Sequence, residues 1–222
     1  MSAQPLEASA PRPSARPGRR HRVEPLTARV DVRAAEQAAH DLMDALGLDV
    51  DAEALVDTPR RMVEAYRELL TPRSFDLTTF ANDEGYDELV LARAIPVQSV
   101  CEHHLLPFVG VAHVGYLPGE RILGLSKLAR VVELFARRPQ VQERLTKQVA
   151  DWLDDRLAPR GVGVVIEAEH TCMTLRGVRA NGSTTVTSTL LGTLREDARS
   201  RAEFLALTGL TGGLTTGGGV RG

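Results

Sequence analysis

In the middle of the sequence stand Leu89-Val90-Leu91-Ala92-Arg93-Ala94-Ile95 and Phe108-Val109-Gly110-Val111-Ala112-His113-Val114-Gly115-Tyr116-Leu117, the second followed by Pro118-Gly119. Here the apolar period of the chain changes from helix to strand, and the Pro-Gly pair supplies a turn. Upstream the pattern is helical. Ala35, Ala39, Leu42 and Leu46 recur at i, i+4, i+7 and i+11, and Gly47 supplies a stop. Asp57-Thr58-Pro59 sets a capping residue ahead of a first-turn proline, opening a second helix that runs toward Leu70 and ends before Pro72. Downstream come two more helices. Leu128, Val132 and Phe135 share a face of the first, which stops at Arg138-Pro139; Val141, Leu145, Val149 and Leu153 form a stripe on the second, ended by Pro159 and Gly161. Val162 to Glu169 and Ser183 to Leu191 read as two further strands, and Glu196 to Leu207 as a last short helix. Strands stand with strands and helices with helices, and strand–helix–strand alternation is absent. The expected class is α+β: an antiparallel four-stranded sheet, helices packed on one face, and an N-terminal helical pair.

The chain has 222 residues, 43% hydrophobic and 25% charged, ordinary for one well-buried globular domain. A net charge of −2 gives no global attraction to nucleic acid or membranes, so anion binding must come from a local cluster of cations. Residues 1–28 are rich in Pro, Ala, Ser and Arg and read as a disordered arm; residues 208–222, rich in Gly, Thr and Leu, read as a flexible tail. The folded domain is then 29–207. No stretch approaches the roughly 18 apolar residues of a membrane span, and no apolar core follows the N-terminal arginines as in a secretory signal. The default location is cytoplasmic.

Both cysteines, Cys101 and Cys172, and three of the six histidines fall in two short segments, Cys101-Glu102-His103-His104 and His170-Thr171-Cys172. Cys-x-x-His lets two side chains reach one ion from a tight turn, and residues two apart at a strand end point to one face. Thiolate and imidazole together suit zinc. The plainer alternatives are a buried cysteine packed as a small hydrophobe, or a disulfide that a cytosolic setting disfavours. If Cys101, His104, His170 and Cys172 all bind, the ion is a structural staple; if three bind, a fourth position stays open to water. Spacing leaves that open, though surplus histidines favour catalysis, as general acid and base.

Ser126-Lys127-Leu128-Ala129-Arg130 opens the third helix. Ser126 is a reasonable N-cap, and Lys127 and Arg130, three apart, share a face where an anion could sit. A capped helix with a solvated cationic face explains the same residues. Gln142-Glu143 begins the next helix, where the dipole favours a carboxylate; such a carboxylate also fits the N1–H and amine of guanine. Arg176 is either a phosphate contact or a surface arginine.

In their order and spacing, Cys101-Glu102-His103-His104, Gly124-Leu125-Ser126-Lys127, Arg138-Pro139-Gln140-Val141-Gln142-Glu143-Arg144-Leu145-Thr146, and His170-Thr171-Cys172 with Arg176-Gly177 resemble the type I GTP cyclohydrolase family, across roughly Asp57 to Leu205. Four motifs in order make the likeness specific. The resemblance implies a Zn2+ held by Cys101, His104 and Cys172, with one position left for water. It implies attack at C8 of the guanine of GTP, loss of C8 as formate, an Amadori-type rearrangement and closure to 7,8-dihydroneopterin triphosphate, the first step of tetrahydrofolate and pterin biosynthesis. By the same likeness His103 and His170 move protons, Ser126 lies near the ribose, Glu143 with Gln142 beside it anchors guanine, and Lys127, Arg130 and Arg176 hold the triphosphate. Arg61 resembles a phosphate contact reaching a neighbouring subunit's site; Glu64 stands where some relatives have a phosphate-binding lysine. The family fold is the tunnelling fold, closed into rings that stack as a homodecamer of two pentamers with sites between subunits. Two rivals are a related pterin- or deazaguanine-forming enzyme, which lacks this combination of motifs, and a zinc-stabilised binding protein, which predicts four protein ligands.

Overall fold

The computed structural model describes residues 19–24 and 30–210. A strand β1 (Arg19–Val23) precedes two helices, α1 (Val32–Ala45) and α2 (Thr58–Leu70). There follow β2 (Phe75–Ala81), β3 (Val90–Cys101), β4 (Pro107–Leu117), β5 (Arg121–Leu123), α3 (Ser126–Ala136), β6 (Pro139–Gln140), α4 (Gln142–Leu157), β7 (Gly161–His170), the one-turn α5 (Thr171–Thr174), β8 (Thr185–Gly192), the one-turn α6 (Thr193–Glu196) and α7 (Ala198–Thr208). The class is α+β.

The main sheet has the order β6-β3-β4-β7-β8. Its four long strands are the antiparallel ones expected, but the sheet is five-stranded and mixed. After α3 the chain runs extended beside β3, pairing Val100 with Pro139 and Cys101 with Gln140 in parallel. Proline can start such a pairing but cannot donate to a ladder, so β6 is brief. A second, three-stranded antiparallel sheet, β1-β2-β5, has no counterpart in the expected plan. Its β1 lies inside the segment read as a disordered arm, and pairs with β2 from Arg19↔Thr79 to Val23↔Phe75. Backbone pairing needs few apolar side chains, and Val23 packs on the core. The rest of that arm, residues 1–18 and 25–28, and residues 211–222 of the expected tail lie outside the described residues. Thr208 ends α7, with Gly209 in the left-handed region at φ +83°.

A bulge in β3 aims the site. Val90 and Ala92 pack toward α3 and α4, while Leu89 and Leu91 face the other side. The register then slips between Ala92 and Ile95, with Ala94 at φ +51°. One extra residue reverses the alternation, so that Ile95, Val97 and Cys101 now take the core face. Phe108, Ala112, Val114 and Tyr116 of β4 and Val162, Val164, Ile166 and Ala168 of β7 join them beneath Leu128, Val132, Leu145, Val149 and Leu153.

Helices cover both faces, not one. On the far face Phe204 of α7 packs with Leu117, Val165 and Leu194. Gly115 and Gly163 are register partners there, and a Cβ on Gly163 would stand 2.7 Å from the Phe204 ring. Two facing glycines leave a depression that the ring fills. In α1 the buried residues are Ala39 and Met43, whereas Leu42 and Leu46, expected on the same face as Ala39, are exposed.

Candidate metal centre and substrate site

Cys101 ends β3 on the core face and is buried. Its N–H donates to Leu106 O at 2.8 Å, and its carbonyl accepts from the N–H groups of His104 (3.3 Å) and Leu105 (2.8 Å). This tight turn, with Leu105 in the left-handed region at φ +53°, swings both histidines back over the thiol. Cys101 Sγ lies 3.8 Å from Nδ1 of His103 and 3.8 Å from Nδ1 of His104. From the other side α5 turns Cys172 inward, and the ligand atoms of Cys101, His104 and Cys172 all lie within 4.8 Å of one another. Burial falls from Cys101 through half-buried Cys172 to exposed His104, so the group opens to solvent on one side. Burial, then the hydrogen bond and charge of Cys101, push the Cys172 thiol above its usual value, while Arg176 pulls the other way. Two soft sulfurs and an imidazole at this spacing are a donor set that fits zinc, which would displace the thiol protons.

His170, the fourth candidate ligand, is engaged elsewhere. Its Nε2 lies 2.7 Å from Gln142 Oε1, and its ring stacks on Phe108 at 4.4 Å with 12° between planes. Burial holds its pKa below the usual histidine value, partly countered by the negative charge of Glu143. Glu143 is exposed in the first turn of α4; Gln142, one residue earlier, is sealed inside.

Several supports were missed in the sequence. Glu102 N–H donates to Gln140 O at 3.0 Å, and the Glu102 carboxylate pairs with the guanidinium of Arg144, which also donates from Nε to Gln140 Oε1 at 2.9 Å. That guanidinium holds the Glu102 carboxyl below its ordinary value. Tyr66 of α2 donates its hydroxyl to Leu105 O at 3.1 Å, tying the turn to the helical pair. Charge complementarity between Glu102 and Arg144 was visible in the sequence, but not their proximity. Phe108 was legible as the start of a strand, not as the platform for a histidine.

Arg130 and Arg61 have partners of their own. Ser126 is the first residue of α3 but caps nothing, since Leu125 holds the N-cap position without a side-chain bond. Arg130 donates to Glu133 at 3.1 Å, and Glu133 is shared with Arg73 and Arg137. Arg61 donates to Asp57 at 3.2 Å on α2, and Glu64 accepts from Arg60 at 2.9 Å. The carbonyl of Ala136, at the C-terminus of α3, accepts from Ser99 at 2.6 Å, near the metal turn. Ser126 begins the helix roughly 15 Å away along its axis. Just ahead of it, Leu123 N–H donates to the Tyr116 hydroxyl at 2.9 Å, at the end of β4 opposite Phe108. Within one chain, then, Cys101, His103, His104, His170, Cys172, Gln142, Glu143 and Arg176 gather at one end of the sheet, and Ser126 and Lys127 lie at the other.

A family model described as GTP cyclohydrolase I matches residues 35–209. GTP cyclohydrolase 1 of Mycobacteroides abscessus is 55% identical over 182 residues, covering 80% of this chain and 89% of that protein. The Mycobacterium tuberculosis protein of the same name is 54% identical over 182 residues, 80% of this chain and 90% of that one. That of Mycobacterium ulcerans is 54% identical over 192 residues, covering 84% and 95%. Among solved structures, an archaeosine synthase QueF-Like in the apo form aligns at 18% identity and a TM-score of 0.38, over 47% of this chain and 93% of that one. With a family match that extends from residue 35 to residue 209 and so takes in the Cys101 turn, both long core helices and the Cys172 turn, the chain belongs to the GTP cyclohydrolase I family.

Proposed function

We propose that the chain is a zinc-dependent GTP cyclohydrolase that opens the imidazole ring of GTP, releases C8 as formate and closes the rearranged product to 7,8-dihydroneopterin triphosphate. The observation that carries this reading is the open three-residue group, Cys101, His104 and Cys172, set beside a histidine already held by other partners. Zinc held by those three would supply a Lewis acid that makes water nucleophilic near neutral pH. His170, kept largely neutral by burial, accepts and returns a proton at the reacting ring. His103, on the exposed lip, handles the second proton. Glu143 accepts from the N1–H and exocyclic amine of guanine, and Arg176 meets the phosphates from the α5 side.

Ser126, Lys127, Arg130 and Arg61 serve the ribose and triphosphate from a neighbouring copy. The separation of Ser126 and Lys127 from Cys101 within one chain supports a site assembled between subunits. So do the exposed apolar residues near the turns, Leu105, Val109, Leu175 and Val178, which would be costly to leave in water as a patch. A homo-oligomer, in this family's form a decamer of two stacked pentamers, is the reading that fits, with residues 29–207 as the catalytic unit in the cytoplasm. Among the described residues no helix is long and apolar enough to cross a membrane. Glu64, tied to Arg60, contributes no phosphate contact.

The deciding experiment is GTP turnover by the zinc-loaded protein, following formate and pterin before and after chelation, with Cys172→Ala alongside. Chelator-sensitive conversion is expected, and Cys172→Ala is expected to lose zinc and at least a hundredfold in turnover together. Full turnover by Cys172→Ala would remove the metal argument. Tightly bound zinc with no turnover at all would favour the binding-protein reading.

A further inference from the structure

We propose that Gln142 is a positioning residue that fixes the ring of His170 and does not touch substrate; the inference rests on the reading of His170 as a proton carrier. Gln142 is 2% exposed, and every polar atom of its amide is engaged. Its Nε2 lies 3.0 Å from Ile166 O, 2.9 Å from Thr185 O and 3.1 Å from Thr187 Oγ1. Two of those partners are backbone carbonyls, which only accept, so the NH2 of the amide must face them and the amide cannot be flipped. Oε1 is thereby turned toward His170 Nε2 at 2.7 Å. A carbonyl oxygen also only accepts, so the hydrogen of a neutral His170 ring sits on Nε2. The other nitrogen, Nδ1, is then left as the acceptor.

The ring has little freedom to escape this arrangement. Phe108 stacks flat against it and sets its plane. Behind Gln142 the network continues, with Thr146 Oγ1 donating to Gln142 O at 2.8 Å and lying 2.6 Å from Thr187 Oγ1. The anchor therefore spans α4, β7 and β8. A guanine contact by Gln142 would require breaking several buried hydrogen bonds at once.

Kinetics of Gln142→Met, which keeps the volume and removes the acceptor, separate this role from substrate contact. The expected result is a fall in kcat for formate release of tenfold or more, with KM for GTP within twofold and zinc content unchanged. A tenfold rise in KM with kcat retained would assign Gln142 to substrate and overturn the proposal, as would wild-type values for both. Should Gln142→Met fail to fold, the zinc-loaded wild-type protein labelled with 15N-histidine reads the tautomer directly. The His170 signal, identified by its absence in His170→Asn, should carry its proton on Nε2; a proton on Nδ1 refutes the hydrogen bond. This readout needs no turnover, so loss of the proposed reaction and loss of the Gln142 anchor give different results.

Discussion

Gln142 and Glu143 share the first turn of α4, yet one is sealed inside and the other faces solvent. A helix turns about 100° per residue, so adjacent polar side chains can serve a buried network and an open site at once. His113 on β4 is a second buried polar residue, with Nδ1 lacking a partner among the described residues. Burial, and then the positive charge of Arg93, push its pKa below the ordinary 6.5, with Glu167 acting the other way. The sign follows from linkage. The folded state disfavours the charged imidazole, so His113 costs nothing above the unfolded pKa, and its cost grows as pH falls from about 6.5 toward the lower folded value. The melting temperature should therefore decline below pH 6.5 in the wild type and decline less in His113→Gln. An equal decline in both would assign the acid sensitivity to other groups.

The elements that show a clear period were legible, and those defined only by what they pack on were not. The strands around 90–117 and the stripe of α4 carry enough apolar repeats to be read directly. Two-residue β6 has no period at all, and β2 shows inward Phe75 and Leu77 but then Thr79, which dilutes the alternation. Counting the α4 face from Val141 hid the equivalent face through Gln142, Thr146, Val149 and Leu153, all buried. The metal turn was legible because thiols and imidazoles are scarce and clustered; its braces from Tyr66 and Arg144 were not, because they come from distant elements. α7 was legible as a helix but its place on the far face was not, for a further reason: its seat is made of absent side chains, Gly115 and Gly163. A Cβ at Gly163 would approach the Phe204 ring to between 2.7 and 2.9 Å. Gly163→Ala should therefore cost about 1–3 kcal/mol by overpacking, seen as a melting temperature lowered by several degrees. Phe204→Leu in the same chain should recover part of it, since the two changes share one contact. Strict additivity would show that the ring and the glycine are not coupled.

At the scale of the whole molecule, the proposed site draws on groups that stand apart within one chain. The thiols sit beside Phe108 at one end of β4, while α3 starts beside Tyr116 at the other, held by the Leu123–Tyr116 hydrogen bond. Along its axis the start of α3 stands roughly 15 Å from the Cys101 turn, beyond the reach of a lysine side chain. If Lys127 reaches the substrate held at Cys172 of a neighbouring copy, the two copies meet in a head-to-tail contact that closes into a ring. This makes a prediction about mixtures. Lys127→Ala and Cys172→Ala should each be nearly inactive alone. Co-expressed so that subunits mix at random, they should regain activity, because roughly one site in four draws its lysine and its cysteine from chains in which each is intact. The matched control is Cys101→Ala mixed with Cys172→Ala, where both lesions fall in the one cluster of Cys101, His104 and Cys172. There every site retains one lesion whatever its neighbours, and mixing should restore nothing. Recovery in the first pair alone establishes a site shared across the interface. Failure of both pairs, with mixed assemblies shown to form, would place Lys127 outside the reaction, and the phosphates would then have to be held by Arg176 and its neighbours on the same chain.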